Sequence, residues 1–148
     1  MQDTIEKSVW IDAPPEDVWQ ALADAGEFGT WFRARFDGQF EEDRVLGAEI
    51  TSPGHEGLRF WVRPVVIDRP TRFAFDWPLD EKADDRDPST ALTTRVTWTL
   101  TEENGGTRVT VIESGFAALP PEVAERKRPD NEGGWEIQCA NLKAHVEA

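Results

Sequence analysis

Residues 93–114, TTRVTWTLTEENGGTRVTVIES, constrain the fold more than any other stretch of the chain. Two alternating runs flank EENGGT, and an Asn-Gly pair between such runs is a strong hairpin signal. Strand side chains alternate between faces, so Val96, Trp98 and Leu100 share one face with Val109, Val111 and Glu113. Arg95, Thr97, Thr99, Arg108 and Thr110 share the other. A hairpin with one apolar face is stable only when that face is covered. The remaining chain must therefore supply neighbouring strands and a layer above them.

Strand periodicity recurs upstream. In TIEKSVWI (4–11), Ile5, Val9 and Ile11 fall on one face and Glu6, Ser8 and Trp10 on the other. RARFDGQF (33–40), GAEITS (47–52), LRFWVRPVVI (58–67) and TRFAFDW (71–77) are rich in β-formers and separated by turn or charged segments. The last places Phe73, Phe75 and Trp77 together. Segment 58–67 leaves two choices, with either Phe60 and Val62 or Trp61 and Val65 inward. Pro64 has no N–H and predicts a bulge or an edge position. The acidic stretch at 78–89 reads as an exposed, mobile loop.

Helices bracket the strands. In DAPPEDVWQALAD (12–24), Pro14 and Pro15 suit a first helical turn, where backbone donors have no partner anyway. Glu16 and Asp17 favour the positive end of the helix dipole. Val18, Trp19 and Leu22 form an apolar stripe, which makes Trp19 a core residue. AGEFGTWF (25–32) reads as a second short helix or turn, and 117–130 as a turn or short helix. At the end of the chain Trp135, Cys139, Leu142 and Val146 recur at helical spacing, the stripe of a long amphipathic helix. The expected class is α+β, a single domain over 1–148. A strand and two short helices precede a curved antiparallel sheet, which wraps around the C-terminal helix in a helix-grip arrangement.

Composition narrows the partners. The net charge of −13, from 29 acids against 16 bases, opposes binding to nucleic acid or to an anionic membrane. No apolar run is long enough to span a bilayer, and the N-terminus has no signal pattern. Cys139 is the single cysteine, and no Cys/His cluster has metal-ligand spacing. A cytoplasmic protein without metal or cofactor is expected. Seven Trp and eight Phe exclude a disordered chain.

Several segments in order carry a family resemblance: DAPPEDVWQALAD, WF at 31–32, IDRPTRFAFDW at 67–77, GGTRVTVIESGF at 105–116 and GGWEIQCANLKAHVE at 133–147. Together they resemble the SRPBCC (START/Bet v-like) superfamily, and within it relatives of the C-terminal domain of the activator of heat-shock protein 90 ATPase. The resemblance implies an apolar cavity between sheet and long helix. Relatives bind lipids, sterols, aromatic polyketides or plant hormones, and some catalyse cyclisation or hydrolysis.

Ligand pockets are mostly apolar with a few fixed polar groups. The candidate lining residues are Trp31, Phe60, Phe73, Phe75, Trp77, Trp98, Val111, Glu113, Trp135 and Cys139, with plain packing as the alternative for each. Glu113 continues an apolar face, and a buried carboxylate needs a partner. It is either a polar anchor or acid/base at a pocket mouth, or a strand-end residue that reaches solvent or pairs with an Arg. His55, in SPGHEG, reads as a solvated loop residue, His145 as a cation at the helix C-terminus, and Cys139 as an inert core thiol. ENGG at 103–106 reads as a turn, and the adjacent acids Glu41–Glu42 and Asp84–Asp85 read as solvated.

Three functions compete. The first is binding of a small apolar or aromatic ligand. The second, drawn from the resemblance, is regulation of a chaperone, the heat-shock protein 90 ATPase, although the eukaryotic activator has an additional N-terminal domain for which this chain leaves no room. The third is a cyclase- or hydrolase-type enzyme using Glu113 or His55. No catalytic constellation is visible, so the enzyme ranks last.

Overall fold

The computed structural model describes residues 2–79 and 91–148. The elements run β1 (Thr4–Ile11), α1 (Pro15–Ala23), α2 (Ala25–Phe32), β2 (Ala34–Phe36), β3 (Leu46–Ile50), β4 (Arg59–Asp68), β5 (Arg72–Pro78), β6 (Thr93–Glu103), β7 (Gly106–Ser114) and α3 (Pro121–Glu147). All strands are antiparallel, in the order β1-β7-β6-β5-β4-β3-β2. The curved sheet and long final helix form the helix-grip α+β fold that the hairpin and the C-terminal stripe predict.

Local chemistry sets the register. Asn104 and Gly105 both have positive φ, 51° and 78°, as a two-residue type I′ turn requires. The turn pairs Trp98 with Val111 and Val96 with Glu113. The inward face of 93–114 is buried as expected, Glu113 included. The register of β4 against β5 slips between Pro64 and Val66, the bulge that Pro64 predicts. Val62 joins the core with partly buried Phe60 packed against it, while Trp61 of the other face is buried as well, outside the main core cluster. Only Ala34–Phe36 of segment 33–40 pairs as a strand.

Helices α1 and α2 and the stripe of α3 fill the concave face. Val18, Trp19 and Leu22 are buried, with Trp19 edge-on to Phe73. Asp24 caps α2 by accepting from the Glu27 N–H at 2.9 Å. At Gly29 any Cβ would run into the Ala34 carbonyl oxygen, so only glycine lets α2 approach β2 this closely.

The largest departure from the sequence reading is α3. It is one 27-residue helix that begins at Pro121 and continues through Pro129, Gly133 and Gly134. Proline in a helix interior loses a hydrogen bond and crowds the preceding turn, and glycine lowers helix propensity. Here tertiary contacts outweigh both. Trp135, Cys139 and Leu142 are buried on the sheet. Arg128 donates to the Thr4 carbonyl at 2.7 Å and Lys143 to the Trp10 carbonyl at 2.8 Å, so α3 occupies acceptors of the edge strand β1. His145 lies in the last turn of α3, as expected, and its Nε2 is also 3.2 Å from Glu27 of α2. Beyond Leu79, the expectation for 78–89 lies outside the described residues. Among the described residues, no helix is long and apolar enough to cross a membrane.

Candidate functional site

Glu113 organises the site. Its side chain is 0% exposed, at the end of β7. It does not reach solvent, and among the described residues it pairs with no arginine. Four neutral side chains donate to it instead. Trp135 reaches Oε1 at 2.8 Å and Trp77 reaches Oε2 at 3.0 Å. The Thr94 hydroxyl lies 2.5 Å from Oε2, and the Asn131 amide lies 3.0 and 3.2 Å from the two oxygens. A carboxylate offers about four lone-pair sites, and these donors take them up. The donors come from β5, β6 and α3, so one buried charge ties the weakly helical middle of α3 to the sheet.

The two indoles stack above this hub, with centroids 5.4 Å apart and planes at 29°. They border a cleft between α3, the end of α2 and strands β3 to β5. Three adjoining hollows share Phe32. The largest, about 580 Å³, is lined by Phe32, Arg33, Ile50, Ser52, His55, Leu58, Asn131, Gly134 and Gln138. A second of about 250 Å³ adds Arg59, Phe60, Trp77, Pro78 and Leu79. A third of about 120 Å³ lies against Trp77, Asp130, Asn131 and Trp135. The largest falls in the range usual for small-molecule sites. Leu58 is 44% exposed at its edge, an apolar side chain left in water.

The ten expected lining residues divide. Phe60, Trp77 and Trp135 border the cleft, and Glu113 sits behind the two indoles. Trp31, Phe73, Phe75, Trp98, Val111 and Cys139 are core residues behind it. Their aromatic rings pack on one another: Trp98 lies edge-on to Trp31 at 5.8 Å and to Trp135 at 5.7 Å, and Phe73 meets Phe75 at 5.7 Å. Burial pushes the Cys139 thiol up to about 11, so it stays protonated and unreactive at neutral pH. His55 is exposed, as expected for a loop residue, yet it lines the cleft.

Sequence reasoning missed Phe32, Arg33, Ile50, Leu58, Asn131, Gly134 and Gln138. Glycines 133 and 134 gave the only usable signal, since a Cβ at either would meet open space. Nothing in the packing demands glycine there. Among the described residues, no group of three or more His, Cys, Asp or Glu is placed to hold a metal ion.

Several solved structures share the fold. The protein MLL2253 from Mesorhizobium loti superposes with a TM-score of 0.75 at 22% identity, covering 97% of this chain and 96% of its own. The Aha1 dimer from Colwellia psychrerythraea gives 0.73 at 15% identity, covering 99% and 97%. DynU16, from the dynemicin biosynthetic locus, gives 0.73 at 20% identity, and its alignment covers all of this chain but 48% of DynU16. At such identities the likeness extends to the fold alone. Among curated proteins, none matches in sequence. The family model described as Activator of Hsp90 ATPase homolog 1-like protein matches residues 12–147, nearly the whole chain, and the protein belongs to that family.

Proposed function

We propose that the protein is a binding module that takes a small, largely apolar, flat molecule into the cleft beside Phe32. The observation that carries this reading is the open apolar wall of Phe32, Ile50 and Leu58 beside the stacked indoles of Trp77 and Trp135. An indole pair fixed by a buried carboxylate is preorganised and loses little entropy on binding. Family membership supports the reading, as does a structural relative from a biosynthetic locus, DynU16.

Titration with the neutral dye N-phenyl-1-naphthylamine tests it. One-to-one, saturable binding that quenches tryptophan emission is expected, and Leu58→Asp should weaken it about tenfold or more by placing a charge on the apolar wall. Native mass spectrometry of the purified protein would then identify any molecule carried along. Absence of saturable dye uptake sinks the reading.

The family's description favours a second reading, regulation of heat-shock protein 90. A saturable rise in that chaperone's ATP turnover on adding the protein would promote it. Acid/base catalysis at Glu113 has less support, because protein donors already engage both carboxylate oxygens.

A further inference from the structure

We propose that the cleft selects an anion: a flat apolar body ending in one carboxylate, sulfonate or phenolate, held by Arg33. The inference rests on the binding reading above and adds the charge of the ligand.

The chain carries −13, yet the largest hollow has no acidic side chain in its lining, which includes Arg33 and His55. Most arginines elsewhere are neutralised. Arg59, on the adjoining wall, donates to Asp37 at 2.5 Å, and Arg63 and Arg95 share Asp76. The Arg33 guanidinium has no hydrogen bond or ion pair among the described residues. Its backbone is left-handed, φ 69° and ψ 60°, at the C-cap of α2. Glycine and asparagine favour that conformation and arginine does not. An arginine here thus keeps an unfavourable backbone while its side chain forms no hydrogen bond or ion pair among the described residues, although its backbone N–H and C=O are bonded to Gly29 and Thr51. A cation does suit a helix C-terminus, but that purely structural role makes no distinction between ligands. Arg33 is exposed and lines the largest hollow, and a guanidinium there offers a fork of donors to a planar anion.

Two dyes with one aromatic body separate the cases. 8-Anilino-1-naphthalenesulfonate carries a sulfonate, and N-phenyl-1-naphthylamine carries none. At low salt the anionic dye should bind about tenfold tighter, as for one charge-assisted hydrogen bond, and the margin should shrink as salt rises. Arg33→Asn suits the left-handed backbone and removes the charge. It should leave the neutral dye's affinity unchanged and equalise the two dyes. Arg72→Asn, at another arginine without a partner among the described residues but outside the cleft lining, should leave the preference intact. Equal affinity of the two dyes for the wild type, or a preference that survives Arg33→Asn, overturns the proposal while the binding reading stands. If neither dye binds, the binding reading falls and this inference with it.

Discussion

Glu113→Gln is the substitution that best tests the hub, because it keeps the shape and changes one oxygen to an amide nitrogen. Thr94 can turn its hydroxyl from donor to acceptor, and Asn131 can flip its amide, so both adapt. The indoles cannot, since an indole N–H only donates. Trp135 faces Oε1 and Trp77 faces Oε2, so either orientation of a glutamine amide sets its NH₂ against one indole N–H. One indole loses its carboxylate acceptor: among the described residues Trp135 has no other, and Trp77 keeps only its longer bond to the Thr94 hydroxyl at 3.2 Å, a destabilisation of about 2–3 kcal/mol. Urea unfolding followed by circular dichroism measures it. The same substitution in a Trp135→Phe background should cost about 1 kcal/mol or less, because the amide nitrogen can then turn toward the phenyl ring. That gives a coupling of at least ~1 kcal/mol. If Glu113→Gln stays within about 0.5 kcal/mol of wild type, or costs the same in both backgrounds, the donor geometry does not govern stability.

Three further outcomes follow from the packing. Gly134→Ala should raise stability by about 1 kcal/mol, from helix propensity alone, while weakening neutral-dye binding because its methyl enters the cleft; a stability gain with unchanged binding would exclude Gly134 from the site. Trp98→Ala should cost about 3–5 kcal/mol by thermal or urea unfolding, since the ring is 0% exposed and wedged between Trp31 and Trp135; a loss under about 1 kcal/mol would contradict a filled interior. Burial raises the Cys139 thiol from 9.0 to about 11, so the unfolded chain releases this proton first. The stability it contributes is whole below pH 9 and is lost as pH rises toward 11. Melting temperatures across that window should therefore fall more steeply for wild type than for Cys139→Ala, and parallel slopes would refute the assignment.

The sheet was legible in the sequence because period-two alternation in 4–11, 71–77 and 93–114 leaves one consistent inward face. The C-terminal stripe of Trp135, Cys139 and Leu142 was legible for the same reason at helical period. The front half of α3 was not. Pro129, Gly133 and Gly134 are breakers by propensity, and only contacts such as Arg128 with Thr4 and Asn131 with Glu113 overrule them. The oddity of Glu113 could be read, but its partners could not. Its donors at 77, 94, 131 and 135 are distant along the chain, and their convergence is a property of topology. Phe32 and Arg33 escaped notice because a half-buried ring and a capping residue have no periodic signature.

The position of β1 has a consequence for how the chain is made. The strand leaves the ribosome ahead of the other elements of this fold, and its ladder partner lies far downstream: Thr4 pairs with Ser114 and Ile11 with Thr107. At about 5–20 residues per second, roughly 5–20 s separate synthesis of β1 from that of β7, and α3 comes later still. Through that interval Ile5, Val9 and Ile11 have no ladder to join, and the Thr4 and Trp10 carbonyls lack the side chains that later occupy them. Closure of the domain around this strand thus waits for the synthesis of β7 and α3. Nascent chains stalled before residue 107 should engage holding chaperones through residues 4–11, and release should coincide with the emergence of α3.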